Sequence, residues 1–344
     1  MKKNLAIILS LVLALTMLAG CMGTVVVYND CNCATEGGNA YVPTEGAVKT
    51  GLAIVANAKD STDAKEAKYD ITIAAVTVDD NGVIQDCIID SVGTSITFDD
   101  KGVITSDLAA QILTKNELGD NYGMKAYGGA KYEWYEQAAA LANYAKGKTL
   151  EQLKNGAIGE SGKPSDADLA STATIYLGGY VSAIEAAVNN AQHLGAQAGD
   201  TLKLAVINSA ASSVSATADK AGTAQLDCDV TAITVKGDVI TSCVLDSVQA
   251  KVSFDATGKI TTDLTAAMQT KTQLGEAYGM KAYAGAKYEW NEQAANFAAY
   301  VTGKTAAQVA GIAVTEGKPS DADLAASVTI AIGGFQALIA KAMQ

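Results

Sequence analysis

Each half of the chain begins with runs of aliphatic and β-branched residues that are interrupted by short polar turns. The turns contain Asn81-Gly82 in the first half and Gly237-Asp238 in the second half. β-Branched runs on either side of such dipeptides predict β-hairpins. The predicted hairpin strands are 71–78 with 83–92 and 230–235 with 239–248, and further short strands are predicted at 52–56, 95–98, 202–207 and 251–254.

Helical spacing of apolar residues follows the strand runs. Trp134, Ala138, Leu141 and Ala145 recur at intervals of three and four residues, which places them on one face of a helix that ends before Gly147. Strands followed by helices are typical of an α+β fold. We therefore expect each half to be a mainly antiparallel sheet with helices packed on one face. The predicted helices of the first half are 106–118, 130–146, 149–153 and 165–191.

A long internal repeat links the two halves. Gly119–Leu153 aligns with Gly275–Val309 without a gap, and 23 of the 35 positions are identical. A repeat of this length indicates two tandem copies of one domain rather than a short-period solenoid. The predicted domains are 49–191 and 201–344, joined by a linker of no assigned structure at 192–200.

The N-terminus predicts export and membrane attachment. A pair of lysines precedes a predominantly apolar run, 5–18, which is too short for a spanning helix and is typical of a signal peptide. The Leu-Ala-Gly-Cys sequence at 18–21 resembles the bacterial lipobox. That resemblance implies removal of 1–20 and lipid on Cys21, with 21–48 as a flexible tether. The protein would then be held at the outer face of the cytoplasmic membrane. The alternative is an ordinary signal peptide with a nearby cysteine.

Composition narrows the classes of function. The chain carries a formal net charge of −12, which argues against a nucleic-acid partner. Its single histidine, His193, lies in the predicted linker, and no serine-hydrolase or zinc-protease motif is present. Cys87 and Cys243 lie at equivalent strand positions, and we expect both to be small buried hydrophobes. Cys31 and Cys33 lack the partner residues of a zinc or iron–sulfur site.

One unusual segment occurs in both halves. Residues 164–180 read PSDADLASTATIYLGGY, and 319–335 read PSDADLAASVTIAIGGF. Ser165 and Asp168 have the spacing of a capping box at a helix start, and the second segment repeats this spacing. Each glycine of Gly178-Gly179 costs about 1 kcal/mol relative to alanine inside a helix. The pair indicates close approach of another element or of a ligand.

Part of this segment resembles a family motif. The sequence from Asp168 to Thr174, DLASTAT, resembles the Asp-x-x-Ser-Gly-Ala-Thr motif of the FMN-binding domain family. That family includes the flavin-carrying subunits of the Rnf and sodium-pumping quinone reductase complexes and many bacterial lipoproteins. Asp323 and Thr329 keep the same separation in the second half. The resemblance implies that a separate flavin transferase links FMN by a phosphoester to Thr174 and to Thr329. It also places the two aspartates in the cofactor site.

The motif is incomplete in both halves. Thr172 and Ser327 stand where the family has glycine, and the second half also has Ala326 and Val328 in place of serine and alanine. A β-branched residue removes the backbone freedom that glycine gives before the acceptor. The first half is therefore the closer match.

A second repeated segment, Gly-Met-Lys, supplies candidate phosphate ligands. Its lysines are local cations. We therefore include the whole segment of each half as candidate cofactor-binding residues, namely Gly123, Met124, Lys125, Gly279, Met280 and Lys281. Tyr122, Tyr127 and Trp134 offer aromatic surface on which a flavin could stack, and the alternative is that they are core residues.

Two classes of function stay open. In the first, the chain is a membrane-tethered flavoprotein that binds and tunes FMN for electron transfer to a redox partner. In the second, it is a flavin-free binding or surface lipoprotein that keeps the domain scaffold. Whether it is an enzyme is left open, although electron transfer fits the residues better than hydrolysis.

Overall fold

Three antiparallel strands form a sheet in each half of the chain. A computed structural model describes residues 45–159 and 161–344. The strand order is β1-β2-β3 in the first half and β4-β5-β6 in the second. These strands are β1 (Lys49–Asn57), β2 (Glu66–Val78), β3 (Ile84–Thr97), β4 (Thr201–Ser209), β5 (Gly222–Lys236) and β6 (Val239–Phe254). The two-residue strands β7 (Val314–Thr315) and β8 (Lys318–Pro319) form a small hairpin.

The predicted hairpins are confirmed, but their strands are longer than expected. The short strands predicted at 95–98 and 251–254 are wrong as separate elements, because these residues continue β3 and β6 without a turn. Asp70 and Gly93 are register partners inside the β2–β3 ladder. Gly93 therefore lies within a continuous strand.

Helices follow each sheet. In the first half they are α1 (Lys115–Leu118), α2 (Met124–Gly128), α3 (Trp134–Ala145), α4 (Leu150–Ala157), α5 (Ala167–Thr172) and α6 (Gly178–Asn189). In the second half they are α7 (Lys271–Leu274), α8 (Met280–Ala284), α9 (Trp290–Val301), α10 (Ala306–Ala310), α11 (Ala322–Ala325) and α12 (Gly333–Ala342). The fold is α+β with antiparallel sheets, as predicted.

The helix predicted at 106–118 is wrong over most of its length, because only α1 is helical there. Thr114 begins this helix with a capping box. Thr114 Oγ1 accepts a hydrogen bond from Glu117 N (3.2 Å), and Glu117 Oε2 accepts one from Thr114 N (2.9 Å). Leu108 and Ile112 precede the box and pack against the central core. Their apolar character thus reflects packing on the sheet and not helical periodicity.

The helix predicted at 165–191 is two helices, α5 and α6, with a loop between them. The cap assigned to Ser165 is also wrong. Asp166 Oδ1 accepts the hydrogen bond from Leu169 N (3.0 Å), whereas Ser165 Oγ donates to a backbone carbonyl of α4 (2.9 Å). Asp321 caps α11 in the second half. The aspartate that follows each serine therefore starts the helix.

The two sheets pack against each other and share one apolar core. Phe98, directly after β3, and Phe254, the last residue of β6, stack with ring centroids 4.0 Å apart and planes 3° apart. Tyr69 is fully buried, and its hydroxyl donates to Ala224 O of the other sheet (2.8 Å). The described residues belong to one compact unit. Further members of this central core are Leu52, Ile71, Ile73, Val92 and Ile96 from the first sheet and Leu202, Leu226, Val230, Val248 and Val252 from the second.

Helices cover the other face of each sheet. Trp134 and Leu141 of α3 and Ile184 of α6 join strand residues such as Val76 in a second apolar cluster. In the second half, α9 and α12 supply Trp290, Phe297, Leu338 and Ile339 to a third cluster. The layers therefore run from helices through two sheets to helices.

The described cysteines are buried free thiols. Cys87 and Cys243 are buried, as predicted, and so is Cys228. Burial raises the pKa of Cys87 and of Cys243 to about 12. These thiols therefore behave as small hydrophobes and not as nucleophiles.

The segment predicted as a linker has a defined structure. Thr50 N donates to Gln192 O (2.9 Å), Gln192 N donates to Thr50 O (3.1 Å), and Val48 N donates to Ala196 O (3.0 Å). His193 Nε2 lies 2.8 Å from Asp80 Oδ1. The connection between the halves is thus paired with the start of β1.

None of the described helices is long and apolar enough to cross a bilayer. Residues 1–44 lie outside the described residues. They include the predicted signal peptide, the candidate lipidation site Cys21, and Cys31 and Cys33.

An aspartate on the third strand of each sheet anchors the first helix of that half. Asp90 of β3 is 6% exposed, and its Oδ1 accepts hydrogen bonds from Ser91 N (2.7 Å) and Asn116 N (3.2 Å). Asp246 of β6 accepts in the same way from Thr272 N (3.1 Å). Desolvation raises the pKa of Asp90 to about 6 and also raises the pKa of Asp246.

Replacing Gly51 by alanine is expected to destabilise the fold. A Cβ added at Gly51 would lie 2.0 Å from Ala187 O of α6, a backbone atom that cannot rotate away. Overpacking of this kind costs on the order of 1–3 kcal/mol, so the midpoint of urea unfolding should fall. Gly93→Ala is the matched strand control, because its added Cβ meets nothing closer than 3.6 Å. An unchanged midpoint for Gly51→Ala would contradict the close packing of β1 on α6.

Asp90→Asn is expected to flatten the pH dependence of unfolding. Between the ordinary pKa of 3.8 and the folded-state value of about 6, the folded chain keeps a proton that the unfolded chain has lost. The stability of the wild type therefore falls as the pH rises through this window, by on the order of 2–3 kcal/mol. Asparagine keeps the Oδ1 acceptor but does not titrate. Urea unfolding from pH 4 to about pH 7 should thus show a smaller fall in the variant.

Asp107→Asn serves as the control for this pH series, because Asp107 is exposed. Its stability curve should run parallel to that of the wild type. Equal slopes for Asp90→Asn and the wild type would refute the role assigned to the buried carboxyl.

Candidate functional site

The two candidate acceptor threonines lie in corresponding loops. Thr174 lies between α5 and α6, and Thr329 lies between α11 and α12. Both residues are exposed to solvent. In each case a short helix ends a few residues before the threonine, and a longer helix begins four residues after it. The hydroxyls are therefore accessible from outside the protein.

A fully buried glutamine orients each threonine. Gln137 Oε1 of α3 accepts hydrogen bonds from Thr174 N (2.7 Å), Thr174 Oγ1 (3.2 Å) and Ile175 N (3.2 Å). Gln137 Nε2 donates to Tyr132 O (3.0 Å). The amide is thereby fixed from both ends, and it holds the backbone and the hydroxyl of Thr174 together.

The second half repeats this arrangement. Gln293 Oε1 accepts from Thr329 N (2.8 Å) and Thr329 Oγ1 (3.2 Å), and Gln293 Nε2 donates to Tyr288 O (2.9 Å). These glutamines are not among the site residues predicted from the sequence. One sequence feature could have pointed to them: both glutamines lie in a Glu-Gln-Ala-Ala stretch that is identical in the two halves.

The Gly-Met-Lys segment of the first half already carries a carboxylate on its backbone. Met124 N and Lys125 N donate to the two carboxylate oxygens of Glu133, at 2.8 and 2.9 Å. Glu133 is buried and caps α3. Glu289 makes the corresponding contacts in the second half, at 2.8 and 3.0 Å. The backbone donors nearest to Gly123 are thus occupied by the protein's own carboxylate.

The lysines of these segments are also paired. Lys125 Nζ lies 2.9 Å from Glu136 Oε2, and Lys281 Nζ lies 2.8 Å from Glu292 Oε2. The glutamates raise the pKa of both lysines. Met124 and Met280 approach the glutamine amides instead, with Sδ at 3.8 Å from Gln137 Nε2 and 4.0 Å from Gln293 Nε2. Gly279 lies at the start of α8, where no described side chain caps the helix.

One helix start joins the two candidate segments. Glu133 and Gln137 are four residues apart at the start of α3, so they face the same side of the helix. Glu133 holds the Gly-Met-Lys segment and Gln137 holds the Thr174 loop. The structure thus brings both predicted segments to the same end of α3, with the buried glutamine between them.

The helix start beside each threonine is open. No described side chain caps the N-terminus of α6 or of α12. Cβ atoms added at Gly178 or Gly179 would meet nothing within 4 Å, and the same holds for Gly333 and Gly334. The expectation that another protein element approaches these glycines is therefore wrong. The glycine pairs form the first turn of each helix, where backbone N–H groups are available to an anion.

The candidate aspartates lie on the preceding short helices. Asp168 and Asp323 are exposed and occupy the first turns of α5 and α11. Neither closes a capping box, so this part of the prediction is wrong. Asp168 O accepts a hydrogen bond from Ser171 Oγ (2.7 Å). A negative charge in the first turn interacts favourably with the helix dipole. This interaction is enough to give both aspartates a structural role.

The first half places a cation and an aromatic ring near its threonine. Lys163 Nζ lies 5.4 Å from the ring centroid of Tyr176, two residues after Thr174, and that ring is 69% exposed. Leu177 N donates to Gly162 O (2.9 Å), which ties the Lys163 loop to the Thr174 loop. Ala331 stands at the position of Tyr176 in the second half. Sequence inspection missed Lys163 because it lies eleven residues before Thr174.

The aromatic candidates separate into core and surface. Trp134 is 2% exposed, and its Nε1 donates to Tyr180 OH (2.9 Å), so it belongs to the core. Tyr127 is 91% exposed and Tyr122 is 38% exposed. Both tyrosines are available for contact with a ligand, whereas the tryptophan is not.

Comparisons of the chain with protein-family models, with curated proteins and with solved structures give no match. Among the described residues, no group of His, Cys, Asp and Glu side chains could hold a metal ion. The arrangement that stands out chemically is a pair of oriented, exposed threonine hydroxyls at open helix starts. Such a site suits a phosphate group.

Gln137→Met is expected to loosen the Thr174 loop. Methionine keeps the size of the side chain but removes the carbonyl that accepts from Thr174 and Ile175. Hydrogen–deuterium exchange at 173–177 should rise by about tenfold or more, and stability should fall by about 1–3 kcal/mol. Gln293→Met is the matched control and should affect 328–332 only. Unchanged exchange at 173–177 in Gln137→Met would show that the glutamine does not hold the loop.

Proposed function

We propose that the chain is a membrane-anchored, extracytoplasmic lipoprotein that carries FMN and transfers electrons. In this proposal Cys21 bears the lipid, and FMN is attached through its phosphate to Thr174 and, in the second half, to Thr329. One observation carries the proposal. Each threonine hydroxyl is exposed, is held by a buried glutamine, and lies beside an uncapped helix start.

The proposal includes two tandem copies of one domain. Three antiparallel strands and then helices occur in each half in the same order. Contacts between the halves are reciprocal. Ala64 N donates to Gly258 O, and Ala216 N donates to Gly102 O, both at 2.8 Å. Phe98 stacks on its sequence equivalent, Phe254. These features support duplication of one unit.

The residues of the first half fit the phosphate of FMN. The open N–H groups of α6 would face the phosphate oxygens, and Lys163 is the cation of the adjoining loop. Gln137 would keep the Thr174 hydroxyl in place. A flavin transferase would take the FMN group from flavin adenine dinucleotide. The bond from Thr174 Oγ1 to the FMN phosphorus would form, the bond from that phosphorus to AMP would break, and the hydroxyl proton would be lost. Bound FMN would supply the ability to accept and donate electrons.

The chain would bind FMN, orient it and exclude other molecules from contact with it. Esterified Thr174 Oγ1 no longer has a proton to donate to Gln137 Oε1. Thr174 N and Ile175 N would still donate to that oxygen, and Gln137 Nε2 would still donate to Tyr132 O, so the loop would keep its anchor. The exposed Tyr176 ring offers an apolar surface beside the acceptor threonine. A redox partner would approach from the open side of the loop, which faces solvent.

A second candidate function is a flavin-free binding or surface lipoprotein. The observation that favours it is that the protein's own glutamates already occupy the donors of the Gly-Met-Lys segment. Glu133 occupies the backbone donors there, and Lys125 is paired with Glu136. Thr172 in place of the motif glycine points the same way. In this reading the scaffold is retained without a covalent cofactor.

Flavin attachment is tested by coexpression with a flavin transferase. The denatured chain should keep flavin fluorescence, and Thr174→Ala should lose the larger share of it. Thr329→Ala should lose the remainder. Thr172→Gly restores the glycine of the motif and is expected to raise the yield of flavin, because it returns backbone freedom before the acceptor.

Thr172→Ala is the matched control and should keep the fluorescence of the wild type. A known substrate protein in the same cells shows whether the transferase is active. If that protein is labelled while the full chain is colourless and fails to bind added FMN, the flavin-free function is the correct one.

A further inference from the structure

A groove in the second half, beside the Gly-Met-Lys segment, has the features of a ligand site. It lies between β6 and the α7–α8 region and has a volume of about 620 Å³. This volume is in the range of small-molecule sites in proteins. Its lining includes Gln249 and Lys251 of β6, Lys271 of α7, and Tyr278, Met280 and Tyr283 beyond it.

Lys271 is the least solvated charge of the groove. Its Nζ lies 4.8 Å from the ring centroid of Trp290 and 5.5 Å from that of Tyr278. Burial lowers the pKa of Lys271. Among the described residues it forms no ion pair with a carboxylate. A half-buried ammonium group between two aromatic rings can still accept an anionic partner.

Lys251 gives the groove a second cation. It is exposed on β6 and, like Lys271, forms no ion pair among the described residues. The charges of Asp229, Asp227 and Asp246 also act on Lys271, and of these Asp227 is bonded to the groove wall. It accepts from Ser212 Oγ (2.8 Å), Gln225 Nε2 (2.7 Å) and Gln249 Nε2 (3.2 Å). Its oxygens are therefore engaged by neutral donors.

Aromatic and amide groups complete the surface. Tyr278 OH lies 3.5 Å from Gln249 Oε1, which connects the two walls. Tyr283 is 89% exposed, so its ring is available to a ligand. Exposed rings beside lysines bind flat molecules that carry negative charge.

The first half lacks this combination. Gly93 and Ser95 stand at the positions of Gln249 and Lys251, and Leu113 stands at that of Gln269. Lys115, the equivalent of Lys271, has similar aromatic neighbours, at 5.2 Å from Tyr122 and 5.3 Å from Trp134. The second cation and the amide wall therefore belong to the second half alone among the described residues.

We propose that the groove of Lys251 and Lys271 reversibly binds a planar aromatic molecule that carries one phosphate or carboxylate group. The lysines select the anionic group, and the tyrosines contact the ring. The groove shares Gly279 and Met280 with the candidate cofactor-binding segment, but neither Thr174 nor Thr329 lines it. Reversible binding in the groove is therefore tested separately from covalent attachment of flavin.

Pyridoxal 5′-phosphate is the probe for this site, since it is a flat aromatic phosphate with an aldehyde. The lysine ε-amine displaces water from the aldehyde to form an imine, and borohydride then adds hydride to the imine carbon to give a stable secondary amine. The full chain, purified in detergent without flavin transferase, is labelled briefly and mapped by peptide mass spectrometry. Lys271 should be labelled about tenfold faster than Lys115.

Two comparisons separate recognition of the anion from a reactive amine. Pyridoxal, which lacks the phosphate, should label Lys271 and Lys115 within about threefold of each other. Lys251→Gln should reduce labelling of Lys271 by pyridoxal 5′-phosphate about fivefold, whereas Lys236→Gln, an exposed charge outside the groove, should not change it. Phenyl phosphate should protect Lys271, and phenol should not.

Three results would overturn the proposal. The first is equal labelling of Lys271 and Lys115 by pyridoxal 5′-phosphate. The second is the same preference for Lys271 with pyridoxal. The third is insensitivity to Lys251→Gln. None of these results bears on Thr174, so failure here and failure of flavin attachment are distinguishable.

Discussion

The burial of two sheet faces in one shared core is the constraint on which the rest of the structure depends. A three-stranded sheet has two faces, and the helices of each half cover only one of them. The remaining apolar faces are buried against each other, with Phe98 and Phe254 stacked between the sheets. This packing leaves the helices and their connecting loops on the outside. The candidate threonines lie on those outer loops, and the groove lies where outer helices meet β6.

The outer sites are organised by polar side chains at the start of one helix in each half. Glu133 and Gln137 lie one helical turn apart on α3, and they hold two segments that are distant in sequence. Glu289 and Gln293 do the same on α9. These side chains are buried and fully hydrogen-bonded. They therefore fix the positions of the exposed threonines. The positions of the accessible hydroxyls are thus set by buried residues.

Local patterns in the sequence predict the hairpins, the α+β class, the helix of Trp134 and the buried cysteines. These features depend on side-chain alternation, turn residues and helical spacing, which are local. The packing of sheet on sheet was not predicted, since both faces of each strand are apolar and the pattern does not say what covers them. The break before Gly178 was missed because the glycine pair resembles a costly helix interior as much as a helix start. Gln137 was missed because its partner, Thr174, is 37 residues away.

The reciprocal contacts between the halves have a consequence for assembly. Under the proposed duplication, each half contributes the same patch to the shared interface, as the subunits of a two-fold homodimer do, so the interface is isologous. When an isologous interface forms, both patches are buried against each other. Neither patch is then left exposed to bind another molecule. Joining the two halves in one chain makes this pairing independent of protein concentration. In the proposed membrane-anchored state, the two halves of one chain would therefore pair with each other, without the partner exchange that is open to separate subunits.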